Sequence, residues 1–127
     1  MSTRQTIDID ELAHTAPIPV AARKGPLLAS SAISGIDPAT SEMPADLATQ
    51  VDNLFANLGR ILTVAGATPD DVVKLTFFVR QRSARDTINP RWLEMFPDAD
   101  QRPARHTVVA ELPAGVLVQC ELLAYCA

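Results

Sequence analysis

Apolar side chains recur at steps of three and four residues between about Ala45 and Ala65. Leu47, Val51, Leu54, Phe55, Leu58, Ile61, Leu62 and Ala65 fall on one stripe. That period predicts an α-helix with one buried face, and Gly66 follows where a left-handed residue commonly ends such a helix. Thr68-Pro-Asp-Asp then reads as a single capped turn with proline in its first helical position. Past it the period changes to two. Val73, Leu75, Phe77 and Val79 alternate with Lys74, Thr76 and Phe78, which predicts a half-buried strand over 72–79.

The remaining segments fit around this pair. Residues 2–9 mix β-branched and polar side chains and predict a short edge strand, whereas Pro17 and Pro19 make 13–20 a loop or extended connector. Gly25-Pro-Leu-Leu-Ala-Ser-Ser-Ala-Ile-Ser-Gly reads as one strand of small residues ending in a turn at Gly35-Ile-Asp-Pro, with room for a helix or a ligand to approach. A second helix is expected over about 83–96. Asn89-Pro90 leaves two readings of it: Asn89 caps a short helix beginning at Pro90, or the proline kinks a longer one. After a polar loop at 98–102, strands over 105–111 and 115–125 close the chain, joined by Leu112-Pro-Ala-Gly. The order β, β, α, β, α, β, β over residues 1–127 predicts a single α+β domain, one mostly mixed sheet with two helices on one face. Val108, Val118 and Leu122 are expected on the other face with nothing left to cover them, so an oligomer with sheets packed face to face is inferred.

Composition narrows the function classes. The net charge of −4, from 11 basic and 15 acidic residues without a basic stripe, argues against nucleic acid as a partner. The longest apolar runs are far short of a membrane span, and the first residues carry no apolar signal region, so a cytoplasmic protein is expected. If Cys120 and Cys126 share one extended segment they lie about 20 Å apart, beyond disulfide reach, so free thiols are expected. His14 and His106 are isolated, which leaves no cluster with metal-ligand spacing. No metal is therefore expected.

Candidate chemistry gathers at the C-terminal end. Arg105 opens a predicted strand, and a guanidinium offers a planar fork of donors that matches a carboxylate. Gln119 and Glu121 share one face of the following strand. A cleft between subunits is a natural place for Arg105; the plainer reading is a surface ion pair. Glu121 reads as a displaced acid/base or as an ion-pair partner, and Asn89 as a cap or a pocket contact. Trp92 reads as core or interface packing. His106 alternates away from Arg105, and Cys120 away from Gln119. Ser31 has no nearby His or Asp in a triad arrangement.

Several motifs in order resemble the RidA/YjgF family of reactive-intermediate deaminases, also labelled endoribonuclease L-PSP. They are Gly35-Ile-Asp-Pro-Ala-Thr, Gln50 with Asn53-Leu-Phe-Ala-Asn-Leu, Ala65-Gly-Ala-Thr-Pro-Asp-Asp-Val-Val-Lys-Leu-Thr, Ile88-Asn89 with Met95-Phe96, Arg102-Pro-Ala-Arg105, and Leu112-Pro113. The resemblance implies a chorismate mutase-like fold, a homotrimer with a central barrel of sheets, and three clefts at subunit interfaces. It implies that Arg105 clamps the carboxylate of a 2-imino or 2-enamino acid, which is hydrolysed to a 2-oxo acid and ammonia without metal or organic cofactor. Ser31 and the backbone around 105–107 would help line the cleft.

The chain also departs from that pattern. Gln119 stands where the family usually has a glutamate that positions or activates water, and an amide cannot take a proton near neutral pH. Ile18 replaces a pocket tyrosine, Ser31-Ala32-Ile33 replaces Ser-Gly-Gln, Thr107 stands where many relatives have a cysteine, and Trp92 where a smaller aromatic is common. The expected catalytic set is Arg105, Gln119 and Glu121, with Arg105, Ser31, Asn89, Thr107 and Ile18 binding substrate. The alternative is a non-catalytic or regulatory trimer that binds small carboxylates. The older ribonuclease label is disfavoured by the net charge.

Overall fold

The computed structural model describes residues 3–127, and the long apolar stripe is its first helix, α1, Leu47–Val64. Asp46 starts it. Its carboxylate accepts hydrogen bonds from the Thr49 hydroxyl at 2.7 Å and the Thr49 amide at 2.9 Å, filling one donor that a helix start leaves open. These bonds, the hydroxyl's foremost, hold the Asp46 carboxyl below the usual carboxylate range. At the other end Gly66 takes φ +75°, and the Ala67 amide reaches back to the Leu62 carbonyl at 2.8 Å. Val51, Leu54, Leu58, Ile61 and Leu62 are at most 1% exposed, so the stripe is the buried face. Truncating such a leucine to alanine costs about 2–5 kcal/mol.

Strands β1 (Arg4–Ile7), β2 (Ala21–Lys24), β3 (Leu27–Ser30), β4 (Ile33–Ser34), β5 (Val72–Val79), β6 (Ala104–Val109) and β7 (Val118–Tyr125) form one sheet. Their order is β1-β2-β3-β7-β5-β6, with β4 also paired to β7. The β5–β6 pair is parallel and the others are antiparallel, so the sheet is mixed as the pattern predicted. A parallel pair needs a crossover. Helix α2, Arg85–Met95, supplies it and packs with α1 over one face of the sheet.

The sequence reading differs from this sheet in five places, the first being β2, which it did not predict. The strand expected at 2–9 is observed at Arg4–Ile7; residue 2 lies outside the described residues, and Ile9 turns inward. The strand expected over 25–35 is a turn followed by two short strands, β3 and β4. Gly25, at φ +57°, turns a β2–β3 hairpin instead of opening a strand. The chain then slips by one residue against β7 between the pairs Ala29–Leu123 and Ile33–Cys120. At the slip the Ser30 hydroxyl accepts the Leu122 amide at 2.9 Å, replacing a ladder partner. A second slip, at Val73, leaves that residue 49% exposed and buries Val72 in its place; Leu75, Phe77 and Val79 keep the predicted face.

The last difference concerns the two faces. Val118 and Leu122, expected opposite the helices, are 0% and 2% exposed beneath them. Cross-strand partners point to the same side. Val118 pairs with Val79 and Leu122 with Leu75, both core residues. The uncovered face carries Phe78, Val108, Leu123 and Tyr125 around a polar centre of Lys74, Thr76, His106, Gln119 and Glu121. Cys120 and Cys126 are free and buried under the helices, and burial, aided by Glu121, pushes the Cys120 thiol well above its ordinary pKa.

Two buried amides lock α1 to its surroundings. The Gln50 side chain donates to the carbonyls of Pro44 (2.7 Å) and Gly115 (2.9 Å) and accepts from the Leu117 amide (2.9 Å). Asn57 donates to the Ser34 and Ile36 carbonyls at 3.0 and 2.9 Å. Gly35, between them, has no room for a side chain: a Cβ there would lie 2.1 Å from the Gln50 carbonyl oxygen.

Candidate functional site

Helix α2 buries one row of side chains. Ala84, Ile88, Trp92 and Phe96, four residues apart, are its buried contacts. Pro90 sits inside the helix, so the longer of the two expected helices is the observed one. Its ring removes one backbone hydrogen bond in an otherwise continuous element. Asn89 is consequently not a cap. It projects beside Trp92, and its side-chain oxygen accepts a hydrogen bond from Arg105 Nη2 at 2.7 Å.

Arg105 reaches this point because β6 lies next to β5. It pairs with Leu75, which turns it toward the helix side, and Thr107 follows on the same side beside Phe77. The guanidinium carbon is 5.2 Å from the Trp92 ring centre and 5.7 Å from that of Phe77. Both are cation–π distances. Trp92 itself stands edge-on to Phe77 and 4.8 Å from Phe96, so the aromatic platform is built into the core. Arg105 is thus fixed by one amide and two rings. It has no carboxylate partner: both ion pairs among the described residues belong to Arg91. Partial burial, then the neighbouring Arg85 charge, push its pKa below the ordinary arginine value. A guanidinium stays protonated under such pressure, and an anion would relieve it.

An open cleft of about 530 Å³ lies over this guanidinium, with Asn89, Trp92 and Thr107 on its wall and Arg82, Arg85 and His106 at its edge. β6 is an edge strand, paired only with β5, so some of its backbone amides face away from the sheet, toward any ligand that approaches. Of the residues expected to act together, Arg105, Asn89 and Thr107 do meet.

The others lie elsewhere. Gln119 and Glu121 were expected on a strand next to that of Arg105, but β5 separates β6 from β7. Gln119 pairs with Phe78 and Glu121 with Thr76, which puts both on the uncovered face, opposite Arg105. Glu121 borders a shallow recess with Lys74 and Thr76. The Ser31 hydroxyl donates to the Pro19 carbonyl at 2.8 Å, and Ile18 is 49% exposed on the neighbouring loop. One chain therefore presents two separate groups: an arginine cleft on the helix side, and Ile18, Ser31, Gln119 and Glu121 away from it.

Sequence reasoning missed Phe77, Arg82 and Arg85, and saw Trp92 only as packing. Their signal was available. Arg85, Asn89 and Trp92 are spaced by four and three, one face of a helix. Among the described residues no three His, Cys, Asp or Glu side chains converge as metal ligands would, and no helix is long and apolar enough to cross a membrane.

The comparisons with known proteins agree with this architecture. The model of the family described as "Endoribonuclease L-PSP" matches residues 9–126. The 2-iminobutanoate/2-iminopropanoate deaminase of Escherichia coli K12 is 33% identical over 102 residues, covering 79% of this chain and 80% of that protein. A RutC family protein of Haemophilus influenzae is 34% identical over 103 residues, 79% of each. Among solved structures, RidA from an Antarctic Psychrobacter superposes with a TM-score of 0.86 at 28% identity, covering 95% of this chain and 98% of that one. The YjgF gene product of E. coli gives 0.83 at 31% identity, with the same coverage of each.

Proposed function

The chain belongs to the endoribonuclease L-PSP (RidA/YjgF) family, and on that premise we propose that it hydrolyses small 2-imino or 2-enamino acids to 2-oxo acids and ammonia. The observation that carries this reading is Arg105, oriented by Asn89 and two rings yet without a carboxylate partner. The substrate carboxylate takes the remaining guanidinium donors as a charge-assisted pair, a contact of about 1.5–3 kcal/mol. Thr107 and outward amides of β6 fix the rest of the molecule. The imine carbon is then held for attack, and orientation supplies most of the rate.

The water comes from the other group of residues. A homotrimer that packs the uncovered faces together brings the Ile18, Ser31 and Gln119 group of one protomer to the Arg105 cleft of its partner. Gln119 orients the water by hydrogen bonding but takes no proton. Glu121 is the carboxylate on the same strand face, about 6.6 Å further along by strand rise, and is assigned the proton transfer. Water adds its oxygen to C2, a proton passes to nitrogen, and the carbinolamine collapses with C–N cleavage to release ammonia.

Ammonia release from freshly generated 2-iminobutanoate tests the reading. A rate well above buffer is expected, and a rate equal to buffer overturns it. Gln119→Glu is expected to raise kcat about tenfold by restoring a base. The replacement of the usual glutamate by Gln119 favours one second reading, a trimer that binds small carboxylates without turnover. That reading predicts 2-oxobutanoate binding through Arg105 with no ammonia released by the wild type.

A further inference from the structure

Arg105 is not the only cation at its cleft. Arg82, in the turn before α2, and Arg85, the first residue of that helix, line the same opening. Neither takes part in the ion pairs found among the described residues, both of which belong to Arg91. Asp86, the neighbour of Arg85 along the helix, does not line the cleft. A chain of net charge −4 thus gathers three arginines without carboxylate partners around one cavity.

One carboxylate occupies one guanidinium fork. Three forks exceed what a monoanion can use, and like charges brought together without a ligand oppose one another. Arg85 and Asn89 are one helical turn apart, about 6 Å of rise, so a short second arm of a ligand held at Arg105 reaches Arg85 without distortion.

We propose that the cleft selects dianionic substrates: 2-imino acids whose side chain ends in a second anionic group, with Arg105 taking the first carboxylate and Arg85, assisted by Arg82, taking the second. The inference rests on the imine-hydrolysis reading and names its substrate class. The reaction consumes one water per 2-imino dicarboxylate and yields a 2-oxo dicarboxylate and ammonia, by the same C–N cleavage. The supplying reaction is then one that oxidises an acidic amino acid, or dehydrates a β-hydroxylated one, to its imine.

Calorimetric titration of the full chain with product-like 2-oxo acids tests this separately from turnover. Oxaloacetate, 2-oxoglutarate and phosphonopyruvate serve as dianionic probes, and 2-oxobutanoate as the monoanion. At least one dianion is expected to bind about tenfold more tightly than 2-oxobutanoate, with the advantage shrinking as salt rises. Whether the carboxylates or the phosphonate lead identifies the second group. Arg85→Leu is expected to bring the dianion-to-monoanion ratio close to one, and Arg82→Leu to lower it less. Equal affinities in the wild type, or a ratio unchanged in both variants, would overturn the assignment. Ammonia release from 2-iminobutanoate by the wild type judges the parent reading alone, whatever the titrations give.

Discussion

Arg91 on helix α2 and Arg105, which reaches that helix from the sheet beneath, meet opposite electrostatics. Arg91 donates to Asp52 on α1 at 2.5 Å and to Glu94 at 2.8 Å, so its charge is matched twice and its pKa is raised, by Asp52 first and Glu94 second. Arg105 has an amide and two aromatic rings, and its pKa is lowered. Both arginines are fixed in place, but only one of them has been left with charge to offer a ligand. Position in the fold decides the difference. Arg91 lies across the α1–α2 seam, where acids on either helix can reach it, whereas Arg105 enters from an edge strand onto a wall of rings.

The largest effect should come from the wall itself. Trp92→Ala removes a side chain that is 7% exposed and is expected to cost about 3–5 kcal/mol in urea unfolding. It should also weaken 2-oxobutanoate binding, because the guanidinium loses its platform. Arg105→Ala comes next. A ten- to hundredfold loss of affinity for the same ligand, with the melting temperature within about 4 °C of wild type, would separate binding from stability at that residue. Arg91→Ala should give the smallest change, a melting shift of about 2 °C or less that vanishes in high salt, with ligand affinity untouched. If Arg91→Ala weakened binding as much as Arg105→Ala, the contrast between a matched and an unmatched arginine would not hold.

Periodicity made the fold legible because the core elements obey it. The α1 stripe and the Leu75, Phe77 and Val79 face of β5 are the residues that the period of 3.6 and the period of 2 selected. What periodicity could not carry was the single-residue slips at Val73 and between β3 and β4. A slip breaks the alternation of faces across it, and nothing local in the composition marks it. The same limit governed the site. Arg105, Asn89 and Thr107 meet because β6 is parallel to β5 and α2 bridges them. Gln119 and Glu121 were misplaced because adjacency in sequence was read as adjacency in the sheet. Val118 and Leu122 failed with them, since one register fixes all four.

The burial of Cys120 and Cys126 has a further consequence. A thiol shut inside a core is out of reach of dissolved reagents, so the folded chain can sit in a pool of carbon electrophiles without being alkylated. Thiol reagents would instead report on the small fraction of molecules that have opened, which gives the protein a built-in gauge of its own unfolding.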